Sequence, residues 1–252
     1  MENKPEYLYQ YTRIETLALI LGKRCIKFNS LQNVDDLEEM EAEDIKNFGK
    51  YAFVSCWTND ENENIALWNM YTEKMKGVRI KLPYNCLKDD CIEIKKQLVH
   101  SGNKLLLIPQ DPWTDSSFEC FKVNYTDIKS ELFPKVWEPK KSKEYPLVLN
   151  KLGKNKSAQW AFQKEWRYII YTQLNNWLNN GEDIETGRKR LENFEEIPEG
   201  IYVGISDDAF KKMEIMLGPK TSKADMIIVK ALVDKYNKGI KVSKSGIKIN
   251  NR

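Results

Sequence analysis

Short runs of aromatic and β-branched residues constrain this fold more than any other feature, because each has the length and composition of a β-strand. The two clearest runs are residues 51–57 (YAFVSCW) and residues 165–171 (EWRYIIY). Further strands are predicted around residues 8–11, 25–28, 78–82, 91–94, 121–125, 240–242 and 247–249, with other apolar runs at 201–205, 215–218 and 226–229. The chain is therefore expected to build its sheets from many short strands.

Helical patterns lie between several of these runs. Thr12 is followed three residues later by Glu15, a capping box that predicts a helix over residues 14–21 with Gly22 as its stop. A second helix is predicted over residues 65–71, where the apolar side chains fall on one face.

Three less regular segments complete the pattern. The acidic residues 33–47 are predicted to be a loop and then an amphipathic helix, with Leu37, Met40 and Ile45 inward. Residues 157–163 indicate a helical turn. A polar, helical insertion is predicted at residues 173–195.

These elements predict an α+β protein with mixed, mainly antiparallel sheets flanked by helices. A length of 252 residues suits one large domain, predicted to span residues 1–252, with residues 240–252 as a C-terminal strand or tail. No stretch approaches the roughly 18 apolar residues of a membrane span. We therefore expect a cytoplasmic protein with no membrane partner.

Charge and cysteine content narrow the function classes. Lys and Arg total 40 against 37 Asp and Glu, so the net charge of +3 gives no general reason to expect nucleic acid as a partner. The segment 211–252 is locally basic, with eleven Lys and Arg against three acidic residues. The five cysteines are odd in number and contain no C-x-x-C motif, which predicts reduced thiols rather than disulfides or a zinc site.

The sequence lacks most of the usual catalytic sets. His100 is the single histidine, which leaves little room for histidine-based triads and histidine-ligated metal sites, since these need at least one well-placed imidazole. An ordinary loop residue is its simplest interpretation. Neither a P-loop nor a G-x-G-x-x-G motif is present. What remains is the chemistry of carboxylates, arginine, hydroxyls and aromatic rings.

Glu165 and Arg167 are the best candidate pair, because residues two apart on a strand point to the same face. The competing interpretation is a buried salt bridge that only stabilises the sheet. Tyr9 and Tyr11 share a face in the same way, and Arg13 follows at a helix start, where an arginine suits an anion. Core packing is the alternative for both tyrosines.

Two further features carry weaker hypotheses. Trp68 and Tyr71, three residues apart on a helix, could stack a flat ring, although such stripes more often belong to a core. The acidic residues 35–44 could bind a divalent cation, but they lack the glycine and register of an EF-hand, and a solvated face is the favoured interpretation. We expect no metal.

The order of these segments resembles the prokaryotic family catalogued as domain of unknown function 2971. Where that family has Asn-Asp-Pro-x-Glu, this chain has Asp35, Asp36 and Leu37. The resemblance implies a fold and a context of scattered, often defence-associated bacterial genes, and no established reaction. The matching segments are residues 8–12, 26–31, 35–36, 55–57, 67–71, 77–78, 165–167 and 215–220.

The chain is also similar, more remotely, to ADP-ribosyltransferases, which grip NAD in a split sheet. This similarity implies NAD as a substrate, with Glu165 holding the nicotinamide ribose hydroxyl while an aromatic ring stacks nicotinamide and an arginine meets the phosphates. The residues expected around NAD are Tyr9, Tyr11, Arg13, Ser55, Trp57, Trp68, Tyr71 and Arg167.

The sequence is also compatible with two other classes of function. One is a noncatalytic module that binds a nucleotide or a protein partner through the aromatic cleft, with Arg13 and Arg167 supplying charge. The other, with less support, is nucleic-acid binding or cleavage that uses the basic C-terminal residues and the acidic stretch.

Overall fold

The structure is a computed structural model, and it describes residues 4–99, 104–109, 116–137 and 147–250. Its strands are β1 (Tyr7–Thr12), β2 (Cys25–Ser30), β3 (Ala52–Thr58), β4 (Val78–Pro83), β5 (Leu105–Ile108), β6 (Glu119–Lys122), β7 (Asn124–Thr126), β8 (Asn155–Ser157), β9 (Glu165–Leu174), β10 (Ile201–Gly204), β11 (Glu214–Leu217) and β12 (Lys241–Lys244). Its helices are α1 (Ile14–Lys23), α2 (Ile65–Tyr71), α3 (Cys91–Val99), α4 (Lys129–Leu132), α5 (Ile184–Asn193), α6 (Asp207–Lys211) and α7 (Lys223–Tyr236). Short 3-10 turns lie at Leu31–Asn33, Leu37–Met40, Phe48–Tyr51, Leu149–Lys151 and Ala158–Gln163.

The main sheet confirms the predicted fold class. Its strand order is β10-β2-β3-β1-β4-β11-β12, and β9 pairs with β3 and carries β5 and β6. Every pair in this sheet is antiparallel except β11 with β12. A second, two-stranded parallel sheet joins β7 to β8. The protein is thus α+β with a mainly antiparallel open sheet.

The sheet is split along one edge of β3. On its other edge β3 pairs with β9 over its full length, from Ala52 to Thr58. On the split edge, β2 pairs only with Phe53 and Val54, whereas β1 joins only at Thr58. No described strand runs along residues 55–57 on that edge, so β1 and β2 diverge there and leave a gap in the sheet.

One core of buried apolar side chains joins this sheet to its helices. Leu8 and Ile80 from the sheet belong to it, together with Leu17 of α1 and Val229 of α7. A second, smaller cluster forms around Trp68 of α2, which packs edge-on against Tyr11 at 4.8 Å between ring centres. β1 is thus packed on both faces, through Leu8 in the main core and Tyr11 in the smaller cluster. Within the described ranges, no helix is both long and apolar enough to span a membrane.

The predicted capping of α1 is wrong. The helix does begin at Ile14, but its N-cap is Arg13, whose side chain makes no capping hydrogen bond. Thr12 cannot cap the helix because it is the last residue of β1, paired with Val78 of β4. The helix also continues past Gly22 and ends at Lys23, and its C-cap Arg24 adopts the left-handed conformation with φ of 53°.

The acidic stretch 33–47 is not an amphipathic helix. It contains the 3-10 turn Leu37–Met40, in which Asp36 accepts a hydrogen bond from the backbone N–H of Glu38 at 3.1 Å. Such local bonds from aspartate compete with a regular helix. Ile45 is buried as predicted, whereas Leu37 is 67% exposed.

Other strand predictions meet mixed outcomes. Residues 91–94 lie in helix α3 rather than in a strand, and the run at 121–125 is divided between β6 and β7. Residues 226–229 belong to helix α7, and 247–249 form no strand. The strands at 51–57 and 165–171, the helix at 65–71 and the helical part of the insertion at 173–195 are confirmed. All five cysteines are unpaired, as predicted.

Candidate functional site

A cavity of about 220 Å³ opens at the gap in the sheet, and we call it the gap cavity. Side chains from β1, β2 and β3 surround the gap, and the start of β9 contributes Glu165 and Arg167. Gln10 of β1 spans the gap and donates from Nε2 to the carbonyl oxygen of Cys56 at 3.2 Å. The cavity therefore exists because β1 and β2 leave part of β3 without a neighbouring strand.

Glu165 and Arg167 form a close ion pair at this cavity. The carboxylate oxygen Oε1 of Glu165 accepts from Arg167 Nε at 2.7 Å and lies 2.6 Å from its terminal nitrogen. Strand pairing aligns Glu165 with Thr58 and Arg167 with Cys56, so both side chains project beside β3. The predicted proximity of this pair, from their spacing of two on a strand, is confirmed.

Two residues outside β9 complete the ion cluster. Lys156 of β8 lies 3.3 Å from Glu165 Oε2 and 3.0 Å from Glu39 Oε1, and Arg167 also contacts the Glu39 carboxylate. All four side chains are at most 4% exposed. Two carboxylates thus face two cations, and the ion cluster (Glu39, Lys156, Glu165 and Arg167) carries no net charge when all four are ionised.

Electrostatic interactions keep Glu165, Lys156 and Arg167 charged despite their burial. Burial alone would raise the pKa of Glu165, but Arg167 and Lys156 outweigh it, so the pKa lies below its usual value. Burial similarly opposes the charge of Lys156, yet Glu165 and Glu39 raise its pKa. The pKa of Arg167 is raised well above normal because the same carboxylates outweigh its burial. Glu165 is therefore an anion across the physiological pH range.

A hydrogen-bonded chain connects the ion cluster to an aromatic wall of the cavity. Lys156 donates to Gln163 Oε1 at 3.0 Å, and Gln163 Nε2 donates to the hydroxyl of Tyr71 at 2.8 Å. Burial and the nearby carboxylate of Asp35 raise the pKa of Tyr71, so its hydroxyl stays protonated. Tyr71 is thus fixed at the cavity by side chains on two sides.

The other walls are aromatic and polar. Tyr9, Tyr11 and Trp57 line the cavity, and the guanidinium of Arg79 stacks over Tyr9 at 4.6 Å from its ring centre. The indole N–H of Trp57 donates to Ser55 Oγ at 2.9 Å. Flat hydrophobic rings beside fixed hydroxyls suit a small ligand that has both a ring and polar groups.

Most of the residues predicted for the site come together at this cavity. Arg13 is exposed at the start of α1 and does not line it. Trp68 is fully buried in the second cluster, where its indole N–H donates to Glu63 at 3.0 Å, and it does not line the cavity either. The predicted residues that do line it are Tyr9, Tyr11, Ser55, Trp57, Tyr71, Glu165 and Arg167.

Sequence reasoning missed several residues of the site. No sequence pattern singles out Lys156 or Gln163, and Glu39 is part of the acidic residues 35–44, for which a solvated face or a divalent-cation site was the expectation. Lys27 of β2 also lines the cavity and pairs with Glu199 at 2.6 Å. The alternation of β2 could have identified Lys27, because it lies on the opposite face from the buried Ile26 and Phe28.

Two other predictions concern His100 and the acidic residues 35–44. His100 lies outside the described residues. The acidic residues 35–44 do not converge into a metal-binding group, since no set of three or more His, Cys, Asp or Glu side chains does so in the described parts of the chain. Asp44 instead accepts from the backbone N–H groups of Val136 and Trp137.

Comparison of the chain with protein-family models, curated proteins and solved structures finds no match in any of the three.

Proposed function

We propose that the protein uses NAD in an ADP-ribosyltransferase-like reaction, with the nicotinamide end of NAD in the gap cavity. One observation carries this proposal: an ionised carboxylate, Glu165, lies among aromatic walls at the gap of a split sheet. An anion fixed in that position favours a ligand that develops positive charge during reaction.

The size of the cavity determines which part of NAD it takes. About 220 Å³ is below the range of about 300–1,000 Å³ for sites that enclose a whole drug-sized ligand. The nicotinamide ring and its ribose would therefore enter, with the ring beside Tyr71 or Trp57. The diphosphate would remain near the side chain of Lys27, which takes the phosphate role that the sequence suggested for Arg13.

The reaction breaks the bond between ribose C1′ and the nicotinamide nitrogen, and the electron pair leaves with nicotinamide. A nucleophilic acceptor, water in the simplest case, forms the new bond to C1′ and releases its proton to solvent. Glu165 has a lowered pKa and is a poor proton acceptor. Its role is to stabilise the oxocarbenium-like state and to accept a hydrogen bond from a ribose hydroxyl.

The existing contacts of Glu165 leave room for that hydroxyl. Arg167 donates once to Oε1, from Nε, and its terminal nitrogen lies 2.6 Å from the same oxygen. Lys156 donates once to Oε2, and a hydrogen bond with the thiol of Cys56 adds to the lowered pKa of Glu165. A thiol is a weak donor, so a ribose hydroxyl can replace it at little energetic loss. The cations would remain in place and hold the carboxylate in a fixed orientation.

Nicotinamide release from NAD, measured with and without cell lysate as a source of acceptors, tests the proposal. The matched variants are Glu165→Gln and Glu39→Gln, because both remove one carboxylate from the same ion cluster and only Glu165 lines the cavity. The wild type should release nicotinamide. Glu165→Gln should lose about 10²–10³-fold in rate, whereas folded Glu39→Gln should retain most of its activity.

Equal activities of the two folded variants would assign Glu165 a structural role and contradict the proposal. If Glu165→Gln does not fold, Glu165→Asp replaces it in the experiment. Aspartate keeps the negative charge, but its side chain is shorter by one methylene group, so the carboxylate lies farther from the ribose. A folded Glu165→Asp protein with full activity would likewise contradict the proposal.

A second candidate function is a noncatalytic nucleotide-binding module. The observation that favours it is the engagement of both Glu165 oxygens by cations, which is typical of a structural ion pair. This function predicts that NAD or ADP-ribose raises the melting temperature of the wild type without release of nicotinamide. A nucleotide panel that leaves the melting temperature unchanged would exclude it.

A further inference from the structure

A second cavity, of about 540 Å³, lies among β6, β7, α4 and the 3-10 turn Leu149–Lys151. It differs from the gap cavity in composition, since four of its lining residues are lysines: Lys122, Lys135, Lys151 and Lys154. We call it the lysine cavity. Its volume falls within the range of about 300–1,000 Å³ typical of small-molecule sites.

The lining of the lysine cavity has an excess of positive charge. Among the described residues that line it, Glu131 is the one acidic residue, so these residues carry four positive charges and one negative charge. Lys135 and Lys154 do pair with acidic residues outside the cavity, Glu43 at 3.2 Å and Glu119 at 3.0 Å. All four side chains of these pairs are at least one-third exposed, so each pair contributes little to stability. An incoming anion can therefore replace the glutamate as the partner of the lysine.

Neutral polar groups in this cavity are already held in place. Asn155 donates from Nδ2 to the carbonyl of Glu131 at 2.9 Å and accepts from Asn124 at the same distance. Both asparagines belong to the parallel pair β7–β8, where they lie directly opposite each other. The site therefore combines a fixed amide frame with exposed or partly exposed ammonium groups, which are point-charge donors suited to phosphate oxygens.

The two cavities are separate sites. Asn155 lines the lysine cavity, whereas its neighbour Lys156 belongs to the ion cluster of the gap cavity. Successive residues of a strand point to opposite faces, so β8 separates the two cavities. Binding of a ligand in the lysine cavity therefore does not depend on whether the gap cavity binds a ligand.

From this excess of lysines we infer that the lysine cavity binds a small polyphosphate, either free or carried on a nucleoside. Several phosphate groups are needed to match several lysines, and the volume suits a small molecule. This inference does not rest on the proposed reaction with NAD.

Calorimetric titration of the full chain with sodium tripolyphosphate, ATP and adenosine, at low salt, tests the inference. Both phosphates should bind, adenosine should not, and affinity should fall as salt is raised. The double variant Lys122→Ala/Lys135→Ala should weaken binding by about tenfold or more. The matched control, Lys230→Ala/Lys238→Ala, removes two exposed lysines from α7 and the residues just after it, and should change affinity by less than about twofold.

Binding of ATP without tripolyphosphate would identify the nucleoside-borne form, and binding of both would show that the phosphates suffice. Equal affinities in the two double variants, or no binding at about 1 mM ligand, would overturn the inference. The same titration in Tyr71→Ala checks the location, because Tyr71 lines the gap cavity and not the lysine cavity. Loss of tripolyphosphate binding in folded Tyr71→Ala would also overturn it.

Discussion

The gap cavity and the lysine cavity hold their charges in opposite ways. At the gap cavity two carboxylates and two cations are buried and form ion pairs with each other, so their charges cancel. At the lysine cavity the cations outnumber the acidic lining residues, and their pairs are partly exposed. β8 contributes to both, through Lys156 and Asn155.

This difference separates charges that hold the fold from charges that are available to a ligand. A buried charge must be paired, and removal of one partner leaves the other uncompensated at a high energetic cost. An exposed charge is screened by water and salt, so it adds little to stability but can attract an anion. Glu165 belongs to the first kind and still lines a cavity, together with its partners Lys156 and Arg167.

The largest effect on stability is expected for Arg167→Ala. This change leaves Glu39 and Glu165 with Lys156 as their one partner within the ion cluster and removes a hydrogen bond to the carbonyl of Gly153. The free energy of unfolding should fall by about 3–5 kcal/mol. Urea denaturation measures it, and a loss under about 1 kcal/mol would show that the ion cluster is not a structural unit.

Acid should destabilise the protein through the same ion cluster. The folded-state pKa of Glu165 is below its usual value of 4.5, so its stabilising contribution is complete above that value and is lost as pH falls through the folded pKa. Denaturation followed from pH 7 downward should therefore show a loss of stability below about pH 4.5. In Glu165→Gln this loss should be smaller, and an unchanged acid profile would contradict the ionised state of Glu165.

A smaller effect is expected for Tyr71→Phe, which removes one hydroxyl from the gap cavity. Gln163 then loses the acceptor of its 2.8 Å hydrogen bond, while the ring stays in place. The free energy of unfolding should fall by about 1 kcal/mol. If the ring stacks nicotinamide, NAD binding should survive in Tyr71→Phe and be lost in Tyr71→Ala, as calorimetry can measure.

The smallest effect is expected in the lysine cavity itself. Lys154→Met removes a charge that pairs with Glu119, and both side chains are at least one-third exposed. The methionine side chain can still cover Phe121, so the free energy of unfolding should change by about 0.5 kcal/mol or less. A loss of unfolding free energy as large as that of Arg167→Ala would show that the charges of the lysine cavity also stabilise the fold, and would contradict the distinction between the two cavities.

Local patterns predicted the parts of the site that lie within one element. The spacing of Glu165 and Arg167 on a strand gave their contact, and the alternation of β1 gave the shared face of Tyr9 and Tyr11. Both follow from the two-residue period of a strand, which the tertiary structure does not alter. The strands β3 and β9 were likewise predicted correctly from their apolar and aromatic composition, because both are central and buried in the sheet.

Predictions failed where distant contacts decide the outcome. Glu39 meets Arg167 across 128 residues of sequence, through a 3-10 turn that no helical pattern indicates. Thr12 could not cap α1 because β4 holds its backbone in a strand. Trp68 and Tyr71 share a helix face in the sequence, but Tyr11 and Glu63 hold Trp68 in a core while Tyr71 reaches the cavity.

A structure of the protein with a carbocyclic NAD analogue, which cannot release nicotinamide, tests the central claim most directly. NAD carries both a flat ring and a diphosphate, so it has a chemical reason to enter either cavity. We predict the nicotinamide ring and its ribose in the gap cavity, with a ribose hydroxyl in hydrogen-bond contact with Glu165. An analogue bound only in the lysine cavity, or nicotinamide turned away from Glu165, would contradict it.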